Sequence, residues 1–237
     1  MGENIRWTPY LEKMMEQVNQ LSITEIKELG GKDITPLSSF TSSGANGSCR
    51  VFKTEKAEKI GIGSFIVNGK LQCGLCTIFP AKGYDLPVFL SRWEERGKEI
   101  AFLVDFVPTV DFLVDEEYRV KYLESMEAIW QRYESLAGIC PEENDSVRAV
   151  CSIIYTAARV PVEKEGMRVA ALAPHTEYLK NYVGFMKSAS PIASDTKQRE
   201  VSRKVKAVRG VFSSYFRECA GKIIGSDTAE LLSTIFF

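Results

Sequence analysis

The sequence contains a single histidine, His175, no long apolar run and no excess of charge of either sign. Its 30 Lys and Arg residues balance 31 Asp and Glu residues, and the net charge of -1 gives no bulk attraction for nucleic acid or an anionic membrane. No run approaches the roughly 20 apolar residues of a membrane span. The opening MGENIRWTPY also lacks the apolar core of a signal peptide. We therefore expect no membrane span and no nucleic-acid partner.

Motifs for two common kinds of cofactor site are also missing. No GxGxxG opens a helix, and Gly61-Ile62-Gly63 is only a fragment within an apparent strand, so we expect no bound nicotinamide or flavin nucleotide. Cys73 and Cys76 form the only CxxC, and a strand places residues three apart on opposite faces. With one histidine as a further ligand, the pattern favours buried structural thiols over a zinc or redox site. We therefore expect no metal.

Hydrophobic periodicity predicts both helices and strands. Residues Pro9–Leu21 predict an amphipathic helix, and residues 30–48, rich in Gly, Ser and Thr, predict a mobile loop. Strands are predicted at Cys49–Thr54, Lys59–Val67, Lys70–Phe79, Ile100–Val107, Val147–Thr156 and Met167–Leu172. Further helices are predicted from Asp115 to Leu136, at Thr176–Ser188 after an opening Pro174, at Thr196–Ile223 behind a Ser194 or Asp195 cap, and at Thr228–Phe236.

These elements predict one α+β domain over residues 1–237, in which residues 1–48 are the N-terminal helix and the mobile loop. Asn68-Gly69 between two strand patterns is a strong hairpin signal and implies antiparallel pairing. The near-continuous apolar run of Ile100–Val107 indicates burial on both faces of the sheet. We expect a single-domain α/β/α sandwich, with a central, mostly antiparallel sheet flanked by helices.

Three motifs between Leu71 and Leu123 resemble, in their order, those of a known family. The strand Leu71–Pro80 ends in Phe79-Pro80, Leu86-Pro87-Val88-Phe89-Leu90 follows, and a second apolar strand leads into Asp105. Their order resembles that of the ferredoxin-dependent bilin reductases. Val110-Asp111-Phe112-Leu113-Val114 and Tyr118 are closer to red chlorophyll catabolite reductase. The resemblance covers the chain from about Ile60 to the C-terminus.

The resemblance implies reduction of a linear tetrapyrrole, either a bilin or a chlorophyll catabolite, by proton-coupled electron transfer. Reduced ferredoxin would deliver the electrons, with no bound cofactor, and the pigment would lie between the sheet and the C-terminal helices. An added electron makes a conjugated pigment more basic, so an acid must lie against its rings. The implied location is the bacterial cytoplasm, or the plastid stroma if a transit peptide was removed, in both cases as a soluble protein.

Three residues depart from the family pattern. Counted from Phe79-Pro80, the family histidine falls on Leu75, the upstream glutamate on Gly63, and the acid after Pro-x-Phe on Arg92. The departures leave open a non-catalytic tetrapyrrole-binding protein of the same fold. A fold relative that acts on an unrelated apolar ligand is a third possibility.

The candidate site residues follow from these positions. Glu94 and Glu200 are candidate proton donors, with Asp105 and His175 as further catalytic candidates. The candidate ligand-binding residues are Arg92, Arg209, Tyr155 and Phe212.

Each candidate has a plainer alternative. Asp105 is equally suited to bonding loop amides at a strand end, and His175 to a helix start. Arg92 and Glu94 suit a solvated loop and a surface salt bridge. Glu200 suits an exposed lattice of charges with its neighbours Lys197, Arg199, Arg203, Lys204, Lys206 and Arg209, a basic face that also suits an acidic ferredoxin.

Overall fold

The structure, a computed structural model, describes residues 9–41, 44–134, 144–162 and 166–237. Its strands are β1 (Thr24–Ile26), β2 (Glu28–Leu29), β3 (Lys32–Asp33), β4 (Phe40–Thr41), β5 (Ala45–Lys53), β6 (Ala57–Val67), β7 (Leu71–Pro80), β8 (Val88–Arg96), β9 (Glu99–Val107) and β10 (Thr156–Pro161). Its α-helices are α1 (Pro9–Val18), α2 (Glu116–Tyr118), α3 (Glu127–Glu134), α4 (Asp145–Arg148), α5 (Met167–Ser188), α6 (Asp195–Ile224) and α7 (Ser226–Phe236).

Within the described ranges, eight strands form one antiparallel sheet in the order β1-β5-β6-β7-β8-β9-β10, with β4 also paired to β5. From β5 to β10 each strand pairs with the next along the chain. The predicted α+β class with its antiparallel sheet is confirmed. The hairpin signal is also correct: β6 and β7 pair antiparallel, and Asn68 and Gly69, in the turn between them, take the positive φ values of 50° and 64° that this dipeptide favours.

Two predicted strands are wrong, and several strands, β8 among them, were not predicted. Met167–Leu172 forms the start of α5, which continues through Pro174 instead of beginning after it. Val147–Thr156 is apolar enough for a strand, but an Asn144 side-chain cap on the Val147 amide starts the short helix α4, and pairing begins only at Thr156. Strand β8 was not predicted because its second half, residues 92–96, is mostly charged and does not alternate.

The other boundaries differ in detail. The segment predicted as a loop at residues 30–48 includes β3, β4 and the start of β5 within its described part. The helix predicted from Asp115 begins with an Asp115 cap on the Tyr118 amide, but irregular turns at 119–126 separate α2 from α3. The predicted end of that helix at Leu136, like Cys140, lies outside the described residues.

Helices cover both faces of the sheet. On one, here called the α5 face, Tyr10 of α1 bonds the Ser91 hydroxyl at 2.7 Å, and Tyr182 of α5 donates to the Pro87 carbonyl at 2.7 Å. On the other, the α6 face, the Thr77 hydroxyl donates to the Phe236 carbonyl at 2.6 Å. Lys59 also donates there, to the Thr234 carbonyl. Because side chains alternate along each strand, consecutive residues of β8 point to opposite faces of the sheet.

Helix α7 lies unusually close to the α6 face. A Cβ placed on Gly61 would lie 2.7 Å from the Ile235 carbonyl oxygen. A Cβ on Gly63 would lie 2.5 Å from the Cys49 sulfur and 2.8 Å from the tip of the Phe236 ring. The two glycines of β6 therefore make room for the backbone and aromatic ring of the C-terminal helix.

We expect Gly63→Ala to lower the free energy of unfolding by about 1–3 kcal/mol, the usual cost of overpacking a filled core. Gly210→Ala is the matched control, since nothing lies within 4 Å of a Cβ there. That control should gain about 0.5–1 kcal/mol because glycine is unfavourable inside a helix. Urea unfolding of both variants measures the difference, and an unchanged midpoint for Gly63→Ala would contradict this packing.

Candidate functional site

A cavity of about 270 Å³ lies between the α6 face of the sheet and helix α6. The sheet contributes its floor through side chains that alternate toward this face: Phe65, Val67, Leu71, Cys73, Leu75, Leu90, Arg92, Glu94, Arg96 and Leu103. The roof includes Phe212, Tyr215, Phe216, Cys219, Ala220, Ile223 and Ile224 of α6, together with Val147 and Phe237. The walls are mostly apolar and aromatic, as in sites for flat organic ligands.

Strand β8 contributes the charged part of the lining. Arg92, Glu94 and Arg96 occupy alternate positions, so all three extend from the same face. The Arg92 Nε lies 3.8 Å from Glu94 Oε1. Arg92 also donates to the Tyr215 hydroxyl at 3.2 Å. The Glu94 side chain is 40% exposed, so this carboxylate reaches both the cavity and the solvent.

The cavity brings together three of the predicted site residues, Arg92, Glu94 and Phe212. The Phe212 ring stacks against Phe237, with ring centres 5.9 Å apart. Tyr215 was not among the candidate site residues, although it lies almost one helical turn after Phe212 and thus on the same side of α6. Arg96 was not among them either, although the two-residue alternation from Arg92 indicates it.

The three positions that depart from the family pattern also lie on the α6 face. Leu75 lines the cavity and is the direct cross-strand neighbour of Arg92. Gly63 is the cross-strand neighbour of Leu75 on the other side, and the Phe236 ring occupies the space above it. The row Gly63, Leu75 and Arg92 therefore runs straight across three strands and carries no carboxylate.

Asp105 is fully buried at the end of β9 and is bonded within the protein. Its carboxylate accepts the Ser152 amide at 2.8 Å and the Ser152 hydroxyl at 2.5 Å. Burial raises the pKa of the Asp105 carboxyl to about 6, although both Ser152 bonds oppose the rise. Asp105 therefore binds a loop amide near the end of its strand, which is the plainer of the two predicted roles. The contacts hold the connection between α4 and β10 against β9.

His175 lies on the opposite side of the sheet from the cavity. Its Nδ1 is 2.7 Å from the Ser91 hydroxyl, and its ring packs edge-on against Tyr10, Trp93 and Phe102. The buried Nε2 has no hydrogen-bond partner among the described residues. Burial lowers the pKa of this imidazole to about 3, so it is neutral at physiological pH. The sheet separates His175 from any ligand in the cavity.

The remaining predicted residues lie outside the cavity lining. Glu200 is exposed on α6. Arg209 forms an ion pair with Glu58 and lies over the Phe79 ring, 4.6 Å from its centre. Tyr155 is half-buried and directly precedes β10. Its carbonyl oxygen accepts a hydrogen bond from the indole N–H of Trp130.

The two sulfurs of the CxxC lie on opposite faces, because Cys73 lines the cavity while Cys76 lies under Tyr10. Burial raises the pKa of both thiols far above its usual value. Across the described ranges, no group of three His, Cys, Asp or Glu side chains is placed to hold a metal ion. No helix in the same ranges is long and apolar enough to cross a membrane.

We expect Asp105→Asn to change how stability depends on pH. The folded pKa of about 6 lies above the ordinary 3.8, so stability from this group is present below pH 4 and lost as pH rises through 6. Two pKa units correspond to about 3 kcal/mol. Part of this change has already occurred at pH 4, so relative to the parent protein the variant should be about 2–2.5 kcal/mol more stable at pH 7 than at pH 4. Denaturant unfolding at both values tests this.

Asp145→Asn, which removes an exposed carboxylate on α4, is the control for the loss of one acidic group. If the free energy of unfolding changed equally between pH 4 and pH 7 in both variants, the burial of the Asp105 carboxylate would not be the cause of its pH dependence.

No family model matches this chain, and no curated protein matches it by sequence. Among solved structures, phytochromobilin synthase from tomato, in complex with biliverdin, matches with a TM-score of 0.74 at 16% identity. That match covers 94% of this chain and 81% of the synthase. The structure of PcyX matches with a TM-score of 0.51 at 12% identity, over 94% of this chain and 93% of PcyX. At these identities the matches establish the fold. The chain therefore shares its fold with phytochromobilin synthase and PcyX.

Proposed function

We propose that this protein binds a linear tetrapyrrole in the cavity under α6 and reduces it with electrons from ferredoxin. One observation carries the proposal: an aromatic and apolar cavity with arginines and one carboxylate on β8, within a fold shared with a synthase solved in complex with biliverdin.

The cavity suits the two kinds of surface that a linear tetrapyrrole presents. Its conjugated rings are flat and apolar and pack favourably on Phe212, Tyr215 and Phe216. Its propionate carboxylates need cations, and Arg92 offers a planar guanidinium for a bidentate contact. The Tyr215 hydroxyl and Glu94 hold that guanidinium beside the cavity.

Glu94 is the proton donor in this proposal. Reduction of one double bond takes two electrons and two protons, and Glu94 is the one carboxyl among the described lining residues. Its partial exposure allows it to regain a proton from solvent after giving up the first. A positioned acid of this kind typically contributes about 10²–10⁴-fold to a rate.

Helix α6 links the cavity to a surface suited to an acidic electron donor. Arg199, Arg203 and Lys206 are exposed on it. Lys206 lies six positions before Phe212, the first residue of α6 in the lining, which is about 9 Å of helix rise. A ferredoxin bound at these cations would lie close to the proposed ligand.

A specific observation also favours the second candidate, a tetrapyrrole-binding protein without catalysis. The row Gly63, Leu75 and Arg92 has no acid where the family resemblance implies acids and a histidine. Phe236 fills the space above Gly63, so a side chain does not fit there without moving α7. Such a protein would keep the cavity and the arginines and leave the pigment unreduced.

An anaerobic absorbance titration separates the candidates. Biliverdin and a red chlorophyll catabolite are added in turn, followed by ferredoxin with its reducing system. We expect a saturable spectral shift that then bleaches or moves in steps, because reduction shortens the conjugated system. A shift that stays unchanged under reductant would identify the binding protein. No shift with either pigment would indicate an unrelated apolar ligand and overturn the proposal.

In the same assay, Glu94→Gln should lower turnover at least 100-fold, the lower end of general acid catalysis, while pigment still binds. Glu95→Gln is the matched control: Glu95 is the next residue of β8, but it faces α5 and pairs with Arg168. Turnover in the control should stay within two-fold. Full turnover in Glu94→Gln would remove Glu94 from the mechanism.

Charge reversal on α6 tests the ferredoxin surface. Arg203→Glu combined with Lys206→Glu should raise the KM for ferredoxin at least 10-fold at low salt, because like charges repel the acidic partner. The Kd for pigment should not change, since neither residue lines the cavity. Lys13→Glu on α1, across the sheet, is the control. An unaltered KM in the double variant would place the docking surface elsewhere.

A further inference from the structure

Two cations lie beside one aromatic ring on the α6 face, at the opposite end of β6 and β7 from the cavity. Lys59 of β6 and Phe79 of β7 are direct cross-strand partners, so their side chains point to the same face. The Lys59 Nζ lies 5.5 Å from the centre of the Phe79 ring, and the Arg209 guanidinium of α6 lies 4.6 Å from it. We call Lys59 and Arg209 the cation pair. Neither residue lines the cavity.

Lys59 is almost completely buried, which is rare for an ammonium group. Only 8% of the residue is exposed. Within the described residues its one hydrogen bond goes to the Thr234 carbonyl in the last turn of α7, at 3.1 Å. That bond caps a carbonyl that the helix itself leaves without a partner. It uses one of the three N–H donors of the ammonium group, so two donors remain for another acceptor.

Arg209 also has donors that the described residues do not use. Its Nη2 pairs with Glu58, whose side chain is 43% exposed. Its Nε–H is buried and has no hydrogen-bond partner in the described part of the chain. A buried donor that is left without an acceptor is costly, because it has lost its bond to water and gained none in return. The guanidinium is therefore suited to a further acceptor.

The two cations disfavour each other. Burial and the nearby charge of Arg209 lower the pKa of the Lys59 ammonium to about 7, although Glu58 opposes the fall. Phe79 from β7 and the Thr234 carbonyl from α7 add no charge to its surroundings. A cap for α7 needs Lys59, but it gains nothing from a second cation beside it. A negative group bound by both cations would remove the repulsion and use their remaining donors.

We propose that Lys59 and Arg209 together bind one oxyanion, such as a carboxylate, sulfate or phosphate group, where α6 meets the start of β6. Its oxygens would accept charge-assisted hydrogen bonds from the ammonium and the guanidinium. Arg209 lies three positions after Lys206 on α6, so a free anion and an acidic side chain of a bound protein are two sources of the same chemistry. The site does not depend on a tetrapyrrole in the cavity.

Two-dimensional ¹⁵N NMR of the protein measures binding through the Arg209 Nε–H signal, which the variant Arg209→Lys assigns by its loss. Sulfate is the probe, because its charge stays constant near neutral pH. At pH 6 we expect a saturable shift of this signal with sulfate, and none with chloride at the same ionic strength. Lys59 is charged below pH 7 and neutral above it, so affinity for sulfate should fall about ten-fold between pH 6 and pH 8.5.

Lys59→Met removes the ammonium group and keeps most of the apolar stem. It should weaken sulfate binding at least 10-fold at pH 6 and abolish the pH dependence. Lys222→Met, at an exposed lysine of α6 paired with Glu218, is the control and should change neither. If Lys59→Met does not fold, the pH series on the parent protein decides alone. No saturable shift in the parent protein, equal affinity at the two pH values, or full affinity in Lys59→Met would overturn the inference.

Ferredoxin, the partner in the proposed function, distinguishes the two sources of the oxyanion. If its acidic side chains occupy the site, ferredoxin shifts the same Arg209 signal, and sulfate competes with it more strongly than chloride at equal ionic strength. If free anions alone occupy the site, ferredoxin leaves the signal unchanged and its KM is the same in Lys59→Met. Sulfate binding supports the site in both cases. Failure to bind sulfate would leave the proposed function standing, because neither cation lines the cavity.

Discussion

The hydrogen bonds at Ser91 are the interaction on which the rest of the structure depends. Tyr10 of α1 and His175 of α5 both approach the Ser91 hydroxyl at 2.7 Å, in a region closed by Trp93 and Phe102. A buried hydroxyl with two partners holds both helices to the centre of β8. Once that face of β8 is buried, alternation requires Arg92, Glu94 and Arg96 to point to the other face. One strand therefore carries a helix anchor and the charged part of the candidate site.

The cavity exists because α6 and α7 pack on the sheet differently. Gly61 and Gly63 let α7 approach until its backbone and the Phe236 ring touch β6. Large side chains on both sides keep α6 farther away, among them Phe65 on the sheet and Tyr215 on the helix. The difference in side-chain volume between the two contacts leaves an open space at one end of the same face.

The same packing explains why no acidic side chain fits at Gly63, where the family resemblance implies one. An acidic side chain at Gly63 would collide with Phe236 and Cys49. It could be accommodated only if α7 packed on β6 in a different position. Leu75 and Arg92 continue the same row across β7 and β8. The Glu94 carboxylate lies in the next row on the same face, where it lines the cavity. The charged side chains of the site therefore follow β8 from Arg92 to Arg96, and the row across the strands from Gly63 through Leu75 is uncharged up to Arg92.

Local patterns were enough to determine the features that depend on chain neighbours. The Asn68-Gly69 turn, the Asp115 and Ser194 caps, the long α6 and the placement of Cys73 and Cys76 on opposite faces all follow from spacing. Only the tertiary structure decided that Asp105 binds Ser152 and that His175 lies across the sheet from Arg92. Each of these depends on contacts between residues far apart in sequence, whose energies no local pattern of side chains contains.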